Sequence, residues 1–158
     1  MITQPSCSRY LDVVREELRT SVAPSVSDPA ALAALGMIDS ILVNVIARCD
    51  HEVAWMREEI AAIEGCAEAV LTAGADTAGG DPGDTVAASL AELRANRSAS
   101  DHTADVRVEY DLAGEVLSRS LEAGLAAGPP LATLVRGVLE ERLAREIEIR
   151  GDFSLVGR

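Results

Sequence analysis

Between Leu35 and Leu71, apolar side chains return at helical spacing. Leu35, Ile38, Leu42, Val45, Ile46, Cys49, Val53, Met56, Ile60, Ile63, Ala67, Val70 and Leu71 share one face at about 100° per residue. No proline interrupts the run, and its interior glycines are Gly36 and Gly65. Asp28-Pro29 supplies an N-cap followed by a proline at the first helical position. Gly74 is a natural stop. The pattern predicts one helix over about 29–73. At 1.5 Å per residue it is on the order of 65 Å long, a length that leaves room for a kink near Gly65 or a 3₁₀ turn.

Shorter amphipathic runs flank it. Cys7, Leu11, Val14 and Leu18 mark a helix over about 8–22, ended by Pro24. Val86, Leu90 and Leu93 mark another over about 84–97. Val106, Tyr110, Ala113, Leu117, Leu121 and Gly124 define a third over about 103–127. Gly128-Pro129-Pro130 breaks it and restarts the chain. Leu131, Leu134, Val135, Val138 and Leu139 open the last helix, which Gly151 closes. Residues 73–84, AGADTAGGDPGD, read as a flexible Gly/Asp-rich loop. Period-two alternation is nowhere sustained. The expectation is an all-α fold, a helical bundle of four to five helices around the long one, in a single domain over 1–158.

Composition narrows the chemistry. The aromatic residues are four, Tyr10, Trp55, Tyr110 and Phe153, so the core is aliphatic and broad aromatic-lined pockets are not expected. Net charge is −12, which disfavours a surface that tracks nucleic-acid phosphates. All 14 basic residues are Arg. Lysine Schiff bases, lysine nucleophiles and a Walker A lysine are therefore excluded. Cys7, Cys49 and Cys66 are an odd set without C-x-x-C spacing, read as reduced thiols with Cys49 in the core. Met1–Tyr10 lacks the apolar segment of a secretory signal, and no stretch of 18 residues is uninterruptedly apolar. Both point to a cytoplasmic protein with no membrane span.

Four places could hold chemistry. Asp50-His51-Glu52, with Asp39, Glu58 and Glu59, offers metal-ligand types. It lacks the Glu-x-x-His spacing of a di-iron bundle, and His51 points about 160° from the apolar stripe. No metal site or cofactor is expected there. On the back of the long helix, Ile41, Asn44, Arg48, His51 and Trp55 follow i, i+3, i+7, i+10, i+14. Trp and Arg anchor interfaces, so this face is a candidate oligomer or partner surface, the alternative being cover by another helix of the same chain. Arg142 and Arg145 extend the stripe of the last helix and could converge on a carboxylate or phosphate, or simply pair with acids. With Tyr110 and Ser120, on the apolar stripe of their own helix, they form the candidate ligand-binding set. Asp76, Asp81 and Asp84 do not match a calcium-loop pattern. No catalytic triad, nucleophile elbow or dinucleotide fingerprint is present.

Two segments carry a resemblance. YLDVVREELRTSVAPSVSDPAALAALGMIDSILVNVIAR, Tyr10 to Arg48, and SLAELRANRSAS, Ser89 to Ser100, resemble an uncharacterised bacterial all-helical family. Its members open with a short charged helix, a V-x-P break and a long Ala-rich helix. They are commonly encoded beside aminoglycoside-phosphotransferase-like kinases and acyl-CoA dehydrogenases. The resemblance covers about a third of the chain. It implies a small cytoplasmic helical accessory protein and supplies no catalytic residues. The function expected is a non-catalytic accessory or interaction protein that forms a homodimer or docks on a larger metabolic enzyme. The alternative is a carboxylate-, phosphate- or acyl-binding protein or enzyme with a pocket inside the bundle.

Overall fold

The structure is a computed structural model and describes residues 5–74 and 82–150. Its regular elements are helical throughout. Helix α1 spans Cys7–Glu17 and is continued by a π-helical turn, Leu18–Val22, and a 3₁₀ turn, Ala23–Ser25. Helix α2 spans Pro29–Gly74, α3 Pro82–Ala95, α4 Thr103–Ala127 and α5 Pro129–Arg150. The protein is all-α and built around one long helix.

The helix starts follow from local chemistry. Ser6 caps α1, its hydroxyl accepting from the Arg9 N–H at 3.3 Å. Asp28 caps α2, its carboxylate accepting from the N–H groups of Ala30 and Ala31 at 3.4 and 3.1 Å. Where one plain helix is predicted over 8–22, the structure instead widens into the π turn. Pro24 has no N–H to return to Thr20 and its ring crowds that carbonyl. The Ala23 N–H reaches back five residues to the Leu18 carbonyl. The Thr20 and Ser25 hydroxyls donate to the carbonyls of Glu16 and Ser21, a bond that bends helices.

Helix α2 runs 46 residues as continuous α-helix, with no 3₁₀ turn near Gly65. Gly65 is exposed, with open space where a side chain would stand, so nothing there forces the backbone aside. Of the predicted loop 73–84, residues 75–81, including Asp76 and Asp81, lie outside the described residues. Residues 73–74 end α2, and Asp84 sits in the first turn of α3. Between α4 and α5 the chain turns at Gly128, whose φ of +105° suits glycine. One turn earlier, a Cβ on Gly124 would stand 3.3 Å from the Leu131 carbonyl, so α5 crosses α4 where no side chain intervenes.

The chain divides into two compact units. The larger, Glu52–Ala144, has a complete core. Met56, Ile60, Ile63, Cys66, Ala67 and Val70 of α2 are buried with Val86, Leu90 and Leu93 of α3. Val106, Ala113, Val116, Leu117 and Ala123 of α4 and Val135 of α5 complete the cluster. The side chains are aliphatic and small, which lets helices approach closely. The smaller unit comprises the chain up to His51 and α5 from Arg145 onward. Here the predicted core stripe is not a core. Leu35, Leu42 and Ile46 are half-buried, while Ile38, Val45 and Cys49 are exposed. The expectation that Cys49 sits in the core is corrected by its position on this uncovered half.

By length and composition α2 is able to cross a membrane. An 18-residue window near its N-terminal end reaches a mean hydropathy of 2.0 with none of it buried. Asp39 breaks the apolar run without making the segment polar, which is why a rule asking for uninterrupted apolarity passes over it.

Candidate association surface

The N-terminal unit is a helical hairpin with two apolar stripes on each arm. On α2, Ala31, Leu35, Asp39, Leu42 and Ile46 repeat at spacings of four, four, three and four residues, and all are half-buried. On α1 and its continuation, Ser8 is buried, and Leu11, Arg15 and Leu18 are half-buried at the same period. One bidentate ion pair joins the two stripes. Arg15 donates from Nε to Asp39 Oδ1 at 2.7 Å and from a terminal nitrogen to Oδ2 at 3.2 Å. Because the link over residues 26–28 is short, this pair fixes the arms as antiparallel. Its hydrogen bonds hold the Asp39 carboxyl below its ordinary value and raise Arg15 above its own.

Among the described residues the second stripes are left largely uncovered. On α2, Ala34, Met37, Ile38, Ile41 and Val45 repeat at i, i+3, i+4, i+7, i+11 and are exposed. Met37 is 63% and Ile41 52% accessible. On α1, Tyr10, Val13 and Val14 are at least half accessible. Leu32 and Val43 are exposed too, on the opposite side of α2 from this stripe. Single exposed apolar residues are ordinary on a protein surface; an exposed apolar row at helical spacing on each of two arms is not.

Of the face predicted for a partner, Ile41, Arg48 and His51 are exposed, and Asn44 and Trp55 are half-buried. Asn44, Arg48, His51 and Trp55 each also interact within the chain. Ile41 alone of the five lies in the bare row. Ile38 and Val45, predicted to face inward, lie beside it. The signal that could have found the row is the second i, i+3, i+4, i+7 series running parallel to the first.

The candidate ligand set is not assembled as one site. Arg142 lies over the Tyr110 ring, 5.4 Å from its centroid, and its Nε is 2.8 Å from Glu59 Oε1. That ion pair with the long helix is the alternative weighed from sequence. The fully buried Ser120 hydroxyl donates to the Val116 carbonyl at 2.8 Å. Arg145 belongs to the N-terminal unit and has interactions of its own. An open hollow of about 430 Å³ lies along α1, lined by Arg9, Asp12, Val13, Arg15, Glu16 and Glu17, and by none of that set.

The larger unit carries a polar network that sequence reasoning missed. Glu109 of α4 is 1% exposed. Its Oε2 accepts from Arg57 at 2.6 Å and from the Ser98 N–H at 3.2 Å. Arg57 also donates to the carbonyls of Ser98 and Ser100, both at 2.9 Å. The Arg57 guanidinium thus pairs with a buried charge and pins the α3–α4 connection, while Arg97 Nε stands 3.8 Å from the other Glu109 oxygen. Around it Arg107 pairs with Glu52, Arg94 with Glu68 and Arg97 with Glu64. The Arg94 guanidinium is raised by Glu68 beside it. Burial pushes the Cys66 thiol up. Of the metal-ligand types, His51 and Asp50 are exposed and Glu52 is engaged by Arg107. Among the described residues no three His, Cys, Asp or Glu side chains gather as a cation site.

Comparison with protein-family models, curated proteins and solved structures finds no match to this chain.

Proposed function

We propose that the protein is a non-catalytic interaction protein, acting by self-association or by docking on a larger metabolic enzyme. The observation that carries the reading is the contrast in cover. The unit over 52–144 has a closed aliphatic core. The N-terminal hairpin leaves a double apolar row in water. Burying each such side chain is worth roughly 1.5–3 kcal/mol, so the row favours a partner. The enzyme-docking form is supported by the resemblance of residues 10–48 and 89–100 to the helical accessory family. The small-molecule reading has less behind it, because Arg142 is held by Glu59 and Ser120 by a backbone carbonyl.

Melting measured across protein concentration tests this reading. An associating protein melts higher as its concentration rises, because assembly stabilises the folded state by mass action. Wild-type protein is expected to show that dependence. A melting temperature independent of concentration, but raised by millimolar phosphate or carboxylate metabolites, would overturn it in favour of ligand binding.

A further inference from the structure

We infer that the bare row on the N-terminal hairpin is covered by the same row of a second copy, so that two α1–α2 hairpins close into an intermolecular four-helix bundle. This rests on the association reading above and adds the occupant and its geometry.

Three observations select a second copy. The first is charge. Residues 1–51 hold four Arg against six acids, net −2, whereas residues 52–158 hold ten Arg against twenty acids, net −10. Two copies of so acidic a chain repel least where their N-terminal parts meet. The Asp39 carboxylate is already neutralised by Arg15 of its own chain, so a copy need bring no counter-charge. The second is area. Taking fractional exposures, Met37, Ile38, Ile41 and Val45 with Tyr10, Val13 and Val14 offer on the order of 700 Å² per chain, near the roughly 800 Å² per partner of a standard interface. The third is pattern. Each arm carries one stripe for its own partner helix and a second at the same 3.6-residue period, the arrangement of a helix inside a four-helix bundle. The α2 stripe is uncharged and so complementary to itself, as a twofold contact requires. A lipid bilayer fits less well. Arg9, Asp12, Arg15, Glu16, Glu17 and Arg19 are interleaved with the apolar residues of α1 and its continuation, and charges are costly in hydrocarbon.

Sedimentation equilibrium of the full chain tests the inference. Wild type is expected at twice the 16.6 kDa chain mass. Ile41→Glu is expected at the single mass with helical circular dichroism retained. Met37→Ser, which removes apolar surface without adding charge, should weaken the dimer at least tenfold. Leu125→Glu alters an apolar side chain of α4 that is 63% exposed and should leave the doubled mass unchanged. A doubled mass that survives both Ile41→Glu and Met37→Ser overturns the proposal. So does a dimer lost equally with Leu125→Glu. A single-mass wild type that floats with phosphatidylcholine vesicles, and ceases to do so as Ile41→Glu, overturns the second copy while leaving the hairpin an association surface. A single-mass wild type that Ile41→Glu changes in neither assay overturns both.

Discussion

Ile63 and Ile41 are the same residue on the same helix, one 1% and the other 52% exposed. Both belong to an apolar row of helical period, and neither row differs in kind from the other. What differs is company. Ile63 is clustered with side chains of α3, α4 and α5. Ile41 lies on a hairpin whose second stripes stay exposed among the described residues. The lesson is that a periodic apolar face specifies an avoidance of water and leaves open which chain supplies the cover.

The comparison is broken most directly by truncating each isoleucine. Ile63→Ala should cost about 3–4 kcal/mol in urea unfolding, the range for opening a cavity in a closed core. Ile41→Ala should cost less than about 1 kcal/mol when the protein is dilute enough to be monomeric. Equal losses would mean that the hairpin is covered within one chain. The next effect is Arg57→Ala, which leaves the buried Glu109 carboxylate with only the Ser98 N–H and the more distant Arg97 Nε at 3.8 Å. A loss of about 3 kcal/mol is expected, with faster amide exchange over residues 96–102. Replacing the pair together, Arg57→Met with Glu109→Leu, should recover most of it. If the double variant is no better than the single, the network contributes more than charge satisfaction.

The smallest effect separates the units by pH. The Arg15–Asp39 pair is about a third exposed, so its worth is under about 1 kcal/mol. Asp39 titrates lower in the folded chain than unfolded. Its contribution is therefore fully present above the ordinary Asp value near 4 and is lost as pH falls through the depressed folded value. Asp39→Asn should abolish that part of the acid limb in chemical denaturation and leave the rest. An unchanged acid limb would show that the pair does not hold the hairpin.

Much of the architecture was legible in the chain. Asp28-Pro29 marked the start of α2, and Gly128-Pro129-Pro130 marked the turn into α5, because proline and glycine restrict the backbone locally. The π turn was not, since it arises from Pro24 acting with the hydroxyls of Thr20 and Ser25. Arg57 and Glu109 escaped notice because fourteen arginines and twenty-six acids offer many pairings, and sequence does not say which acid loses its water. Ile38 and Val45 were placed inward on the strength of a stripe that continues into a real core. The helix keeps its pattern past His51, and the neighbours do not.

The π-helical turn at Leu18–Val22 has a further consequence for register. Such a turn holds one residue more than an α-helix would, in effect a single-residue insertion. Removing one residue there would tighten the backbone and swing everything before it by about 100°. Arg15 would leave Asp39, and Tyr10, Val13 and Val14 would turn to a different side. The single extra residue thus acts as the dial that aims the first arm of the hairpin.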